Sequence, residues 1–313
     1  MRSFPRPIVV VSQCLELAAC RYDGRTMRAP IVVQLAPYVD LRPICPEVEI
    51  GLGIPRDPIR LITVDGTRRL VQPTTIRDVT AAMREFTATF LATAADADGF
   101  ILKSKSPSCG TRDTNVYPTA GAPWPVGKGA GMFGSAVLAR FPHAAVEDER
   151  RLTQPRFRHH FLVKLFTRAA FRAARNPEML IRFHAEHELQ LQAYNRTAKR
   201  ALDRIIALAA DRPFSEIMVA YDGQLTRSLA RPARERATVD SLMSALGRLE
   251  ERLSAAEKQE FSGALDEYRK GRLTLDGPLT LLRCWAGVLD DRYLASQTFL
   301  QPYPPPLMDT QDG

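Results

Sequence analysis

Along the first half of the chain, apolar residues come in short runs separated by glycine and proline, the pattern of alternating strands and helices. Ile8-Val9-Val10-Val11-Ser12 is β-branched almost throughout and predicts a buried strand leading into a loop at Cys14. Residues 39–45 predict a second strand, followed at once by Pro46-Glu47. Two further runs, 61–64 and 69–71, flank Asp65-Gly66, a hairpin-turn dipeptide. Residues 75–94 have helical spacing, with Val79, Met83, Phe86 and Phe90 on one face. Residues 100–103 predict another strand, running into Ser106-Pro107-Ser108-Cys109-Gly110. A glycine-rich loop over 127–134 precedes a short helix at 136–141.

Beyond residue 150 the glycines thin out and the helical period takes over. Helices are expected near 155–175, 178–210, 214–230, 235–246, 248–270 and 278–299. Pro155, Pro177, Pro213 and Pro278 stand near their starts, where a missing N–H costs little. The expected architecture is therefore an α/β N-terminal domain, residues 1–150, built on an open, mostly parallel sheet flanked by helices. An all-α domain, residues 151–313, follows it.

A length of 313 residues suits two domains. The 45% hydrophobic and 25% charged fractions are ordinary for a globular chain and exclude a disordered or fibrous one. No apolar run approaches the roughly 18 residues of a membrane span. Arg2 and Arg6 precede the apolar Ile8–Ser12 segment, but the run ends there and Glu16 follows. That is too short for an export signal, and a cytoplasmic location is expected.

The net charge of +8 is unevenly spread. Residues 1–149 carry 17 basic and 15 acidic side chains, whereas residues 150–212 carry 14 and 5. Such a concentration suits a polyanion such as nucleic acid, and equally a solvated helical surface. Lys164, Arg168, Arg172 and Arg175 recur as a stripe, and with Phe157, Phe161 and Leu165 read as the apolar face of that helix the stripe is expected to be exposed. Arg196, Lys199, Arg200 and Arg204 form a second stripe. Two exposed stripes would track the phosphates of a folded RNA.

Five cysteines, an odd number, argue against a disulfide framework. Cys14, Cys45 and Cys109 each sit just beyond the end of a predicted strand, the edge at which open α/β sheets bind ligands. Their spacings match no zinc ribbon and no ferredoxin run, so the residues alone leave a metal or cluster site standing beside three buried thiols. Cys284, in Leu281-Leu282-Arg283-Cys284-Trp285-Ala286, is expected in a helical core. Glu47 beside Cys45 and Ser106 beside Cys109 add a carboxylate and a hydroxyl, the parts of a metal-assisted hydrolysis. His184 and His187, one turn apart, are more consistent with core or surface positions than with a second metal site.

Three ordered motifs carry a resemblance. They are Cys14-Leu15 with Cys20-Arg21-Tyr22-Asp23-Gly24, then Cys45-Pro46-Glu47-Val48-Glu49-Ile50-Gly51-Leu52-Gly53 with Pro55-Arg56, then Ser106-Pro107-Ser108-Cys109-Gly110. Together they resemble the bacterial thiouracil desulfidase family over about residues 7–150. The second half is similar to the YbgA-like helical domain through Arg156-Phe157, Phe183-His184-Ala185, Pro278-Leu279-Thr280-Leu281-Leu282 and Pro302-Tyr303-Pro304. The combination looks like the tRNA 4-thiouridine desulfidases, which return a thiolated base to uridine.

The resemblance implies a 4Fe–4S cluster held by Cys14, Cys45 and Cys109 with one iron open, Glu47 and Ser106 as catalytic groups, and thiolated tRNA as partner. It calls for no membrane and no obligate protein partner. Arg21, Tyr22, Asp23, Lys103 and Lys105 would lie near a bound substrate. The chain departs from the family's pattern at Leu15-Glu16, where a glycine is usual, so the loop at Cys14 is expected to differ in shape. Cys20 competes with Cys14 as the first ligand. Two alternatives remain at this level: a desulfidase of free thiouracil whose helical half is an interaction module, and a non-catalytic cluster-bearing RNA-binding sensor.

Overall fold

Every residue of Ile8–Ser12 is buried, as a strand must be when both faces of a parallel sheet are covered. A computed structural model describes residues 2–209 and 211–308. The chain divides into two compact units. One is Arg6–Phe161; the other takes Leu162 onward together with the segment before Arg6.

In chain order the first unit runs β1 (Ile8–Ser12), α1 (Pro30–Leu35), β2 (Asp40–Ile44), α2 (Pro46–Glu49), β3 (Arg60–Val64), β4 (Thr67–Gln72) and β5 (Arg77–Asp78). It continues with α3 (Thr80–Thr93), β6 (Gly99–Leu102), β7 (Thr114–Tyr117), β8 (Gly127–Gly129), α4 (Met132–Arg140) and β9 (Ala145–Asp148). Four strands make a wholly parallel sheet of order β2-β1-β6-β9. From β1 the chain goes first to one side, to β2, and then crosses to β6 on the other. The carboxyl edge at β1 is therefore a topological switch point, where such sheets open a crevice.

A second sheet of order β5-β4-β3-β7-β8 is mixed, with only β3 and β7 parallel. The β3–β4 hairpin turns at Asp65-Gly66, both at positive φ (48° and 73°), as a two-residue primed turn requires. The helix predicted over 75–94 begins only at Thr80, because residues 77–78 pair with β4. Asp78 Oδ1 accepts the Thr80 N–H at 2.8 Å and Thr80 Oγ1 accepts the Leu70 N–H at 2.8 Å. Met83 and Val79 enter the core with Phe100, Leu102, Phe133 and Leu61, and Phe86 and Phe90 pack against it. The expected glycine loop at 127–134 instead supplies β8 and the first turn of α4.

The second unit is all-helical from Leu162 onward. Its elements are α5 (Pro155–Ala173, whose first turns belong to the first unit), α6 (Pro177–Glu186), α7 (Glu188–Tyr194), α8 (Arg196–Ala207), α9 (Phe214–Ser228), α10 (Glu235–Leu249), α11 (Ala255–Arg269), α12 (Asp276–Val288) and α13 (Arg292–Ser296). The single helix expected over 178–210 is three. It breaks at His187, buried against the Phe183 ring (centroids 4.0 Å apart). It breaks again at Asn195, whose side chain caps α8 by accepting the Ala198 N–H at 3.0 Å. Likewise α11 starts at a Ser254–Glu257 capping box rather than at 248. The helix expected over 278–299 divides into α12 and α13, the latter capped by Asp291. Two hydrophobic clusters fill the unit, one around Phe261, Leu282 and Trp285 and one around Tyr221, Phe183 and Leu202. No helix among the described residues is long and apolar enough to cross a membrane.

Candidate active site

The strand register brings the first two cysteine loops out of the sheet together. Ser12 pairs with Ile44, and the Gln13 N–H donates to the Ile44 carbonyl at 2.8 Å, so Cys14 and Cys45 leave from the same level. On the other side of β1, Ser12 Oγ accepts the Lys103 N–H at 2.9 Å, which fixes where the 103–110 segment departs from β6.

That segment is held as a tight turn. The Gly110 N–H donates to the Ser106 carbonyl at 2.9 Å, and the Cys109 N–H donates to Ser106 Oγ at 3.0 Å. The chain entering α4 then grips the turn from outside: Gly131, Met132 and Gly134 N–H groups donate to the carbonyls of Gly110, Pro107 and Ser108 at 2.8–3.0 Å. Glycine is required at these approaches. A Cβ on Gly131 would lie 2.5 Å from the Ser108 carbonyl oxygen, and one on Gly134 would lie 2.3 Å from that of Gly110.

One cavity of about 320 Å³ results, lined by Cys14, Cys20, Cys45 and Cys109 together with Glu47 and Ser106. Arg21, Tyr22, Lys103 and Lys105 complete part of its wall, while Asp23 is turned to an ion pair with Arg21 at 3.1 Å. Burial pushes the Cys14 thiol well up, and the neighbouring sulfurs of Cys109, Cys20 and Cys45 add to this, with Lys103 opposing. Burial likewise raises Cys109, to about 12, with the charge of Glu47 adding. Cys20 is raised to about 12 by burial and by its contact with Cys45. Left to themselves the sulfurs of Cys14, Cys20 and Cys109 are neutral thiols crowded into one recess. Among the described residues no group of three His, Cys, Asp or Glu side chains is arranged to hold a single metal ion.

In the loop after Cys14, Glu16 stands in place of the family's glycine and takes a left-handed conformation. Glu16 has φ 67°, which for a residue with a Cβ costs about 1–2 kcal/mol. Its carboxylate offsets this by accepting the Ala29 N–H at 2.6 Å, while its own N–H donates to Met27 O at 3.0 Å.

Glu47 follows Cys45 on α2 and is tethered at both oxygens. Oε2 accepts from Arg56 Nε at 2.9 Å and Nη2 at 2.8 Å. Oε1 accepts from Ser108 Oγ at 2.7 Å. Arg56, with its side chain only 3% exposed, also donates to the carbonyls of Cys20 and Gly53 at 3.0 and 2.9 Å. Arg56 and Ser108 both lie inside the motifs quoted above, yet the sequence gives no sign of their roles. An arginine is rarely buried unless paired, and its partner sits nine residues away across a turn.

The basic stripes fare differently. Exposure of the first does not hold, because eight of the nine residues 161–169 are buried. Arg168 bonds to Asp222 of α9, Lys164 is half-buried with its ammonium pulled down to about 8 by desolvation, and Arg172 is half-buried. Only Arg175 of this stripe is exposed. In the second stripe Arg196, Arg200 and Arg204 are exposed, Arg196 pairing with Asp240 at 3.2 Å, while Lys199 pairs with Glu188 and Asp203 at 3.0 and 3.1 Å. His184 bonds to Tyr221 and Asp203, both at 3.0 Å, whereas His187 bonds to the Phe183 carbonyl at 2.7 Å, so the two rings serve separate structural contacts. Cys284, expected in the core, is exposed on α12, because Leu282, Trp285 and Ala286 take the buried face.

Residues 9–149 match the family model described as 2-thiouracil desulfurase, and residues 188–304 match that of a family of unknown function, DUF1722. Uncharacterized protein YbbK of Bacillus subtilis (strain 168) is 33% identical over 112 residues, which is 33% of this chain and 74% of YbbK. Uncharacterized protein YbgA of Escherichia coli (strain K12) is 22% identical over 126 residues, 40% of this chain and 75% of YbgA. Among solved structures, the [4Fe-4S]-dependent thiouracil desulfidase TudS is 28% identical over 48% of this chain and 95% of its own, with a TM-score of 0.38.

Proposed function

Because the chain belongs to the 2-thiouracil desulfurase family through residues 9–149, we propose that it is an iron–sulfur desulfidase of the cytoplasm whose substrate is 4-thiouridine in tRNA. Catalysis falls to residues 1–150 and contact with tRNA to residues 151–313. The observation that carries this reading is the gathering of thiols from three separate crossover loops around one cavity with a tethered carboxylate.

The donor set fits a 4Fe–4S cluster. Such a cluster takes one thiolate per iron, so its ligands stand further apart than those of a single ion, and soft sulfur donors favour it over hard cations. Cys14, Cys45 and Cys109 would hold it and leave the fourth iron open. When bound, the cluster supplies a soft Lewis acid that takes a thione sulfur in preference to a carbonyl oxygen.

The remaining work falls to the chain itself. Glu47 accepts the proton of the attacking water, and Arg56 holds the carboxylate in place through Oε2. Ser106 presents its hydroxyl to the cavity. Tyr22, at the cavity wall and beside Arg21, offers a ring on which a pyrimidine can stack. Thiocarbonyl plus water gives carbonyl plus hydrogen sulfide, a hydrolysis in which no electron changes hands. On the helical side, Arg200 and Arg204 are exposed and available to phosphates, whereas Arg196 is paired with Asp240.

Free thiouracil is the second reading, favoured by the family's own description. Anaerobically reconstituted protein, incubated separately with thiolated tRNA and with thiouracil, separates the two through loss of the near-UV thione absorbance. Loss with tRNA alone is the expected result. Loss with the free base alone replaces tRNA as substrate, and loss with neither removes the desulfidase reading.

A further inference from the structure

Two serines of the 106–110 turn connect the cavity to Glu47. Ser106 is half-buried and Ser108 is 1% exposed; their Oγ atoms are 2.9 Å apart, and Ser108 Oγ is 2.7 Å from Glu47 Oε1. The direction of these bonds follows from counting protons. A carboxylate only accepts, so Ser108 gives its single proton to Glu47. At the contact between the serines Ser108 must then accept, and Ser106 donates. Ser106 in turn accepts the Cys109 N–H at 3.0 Å. One lone pair of Ser106 is left to receive a proton from the cavity side. Oε2 of Glu47 is filled by its two bonds from Arg56, so the carboxylate addresses the cavity through Oε1, the oxygen Ser108 holds.

We propose that Ser108 is a proton relay between Ser106 and Glu47, so that the cavity-facing hydroxyl and the carboxylate work as one acid–base unit. The inference rests on the hydrolytic reading above. In the forward step a water O–H bond breaks and its proton passes to Ser106 Oγ. The proton of Ser106 moves to Ser108 and that of Ser108 to Glu47 Oε1. The water oxygen forms its bond to the ring carbon, the C–S bond breaks with its electron pair on sulfur, and the proton held by Glu47 returns along the same line to the departing sulfide; the second water proton leaves the carbon-bound oxygen as the carbonyl forms and joins the sulfide, giving hydrogen sulfide. Protons and electrons balance without a further reagent. Ser108 Oγ also lies 3.8 Å from Cys109 Sγ, a longer contact than its 2.7 Å bond to Glu47; in this scheme it acts on the substrate through Ser106, a positioning role.

The test uses cluster-loaded full-length protein with thiolated substrate and compares wild type, Ser108→Ala and Ser108→Thr. The alanine variant is expected to lose about 10²-fold or more in kcat, the scale of general acid–base assistance, with KM and iron content held. Its proton inventory in mixed H₂O and D₂O is expected to fall from several protons in flight to one, and threonine, which keeps the hydroxyl, is expected to restore both. An alanine variant within twofold of wild type with an unaltered inventory overturns the relay, and so does a loss of activity that threonine does not restore.

A readout independent of turnover covers a wild type that proves inactive, or an alanine variant that loads poorly. The carboxylate stretch of Glu47, identified as the infrared band missing from Glu47→Gln, is expected to shift in Ser106→Ala. In the Ser108→Ala background the same substitution is expected to leave it unmoved. Additive shifts overturn the proposal whatever the fate of the desulfidase reading.

Discussion

Arg56 holds Glu47 by two nitrogens on one oxygen, Nε at 2.9 Å and Nη2 at 2.8 Å on Oε2. Both side chains are largely withdrawn from water, so the arrangement is sensitive to loss of either partner. Arg56→Met leaves an unmatched carboxylate in the cavity wall, at a cost of about 3–5 kcal/mol for a broken buried pair. A lower denaturant midpoint and strongly reduced turnover are expected. Arg56→Lys keeps the charge but not the fork; its stability should lie between the two and its activity close to the methionine variant. Wild-type stability in Arg56→Met would show that the pair holds nothing together.

Substitution of the thiols should separate loading from chemistry. Cys14→Ala, Cys45→Ala and Cys109→Ala are each expected to abolish the brown absorbance together with bound iron and acid-labile sulfide. Glu47→Ala should keep all three and lose turnover. Cys20→Ala is expected to retain the cluster. If it instead abolishes loading while Cys14→Ala does not, the first ligand is Cys20.

Gly131 and Gly134 hold the 106–110 turn against α4 by having no Cβ. Gly131→Ala puts a methyl 2.5 Å from a backbone oxygen, and Gly134→Ala puts one at 2.3 Å. The turn has to move, with a loss of about 1–3 kcal/mol typical of overpacking. Denaturation curves and iron content should fall together. Gly121→Ala, which meets nothing within 4 Å, is the control and should leave both unchanged.

The exposed arginines of α8 predict a salt-sensitive RNA contact. Arg200→Ala combined with Arg204→Ala should weaken tRNA binding and flatten the slope of log affinity against log salt by about two, roughly one per phosphate contact. Filter binding at several ionic strengths reads this directly. Turnover on thiouracil, if present, should be unaffected. An unchanged slope would remove α8 from the RNA-binding surface.

Much of the parallel sheet is legible in the sequence, because β1 and β6 are runs whose burial leaves an apolar trace, whereas in the edge strand β2 only Ile44 is buried. The strand β9 is not. It buries Glu147 and Asp148, which are satisfied by Arg112, Arg151 and Thr111, and paired polar residues erase the hydrophobic pattern. The division of residues 178–210 into three helices was written in Asn195, a preferred cap, but His187 gives no comparable stop signal, since its break comes from packing on Phe183. At the site, the ordered cysteine motifs mark the three loops. What they leave hidden is the wiring: Arg56 and Ser108 matter through contacts made only when distant segments meet. Glu16 shows the converse. It stands where the family's pattern has glycine and takes a left-handed conformation, with its carboxylate accepting the Ala29 N–H.

Cys14, Cys45 and Cys109 are spaced along almost a hundred residues and meet only where three parallel strands end side by side. Parallel pairing is non-local and must be complete before such points coincide. An unfolded or half-made chain therefore offers no nest for iron, and delivery has to wait for a finished apoprotein. On the proposed reading, loading would come after folding, and whatever donates the inorganic core would meet an already shaped receptacle, not a nascent strand.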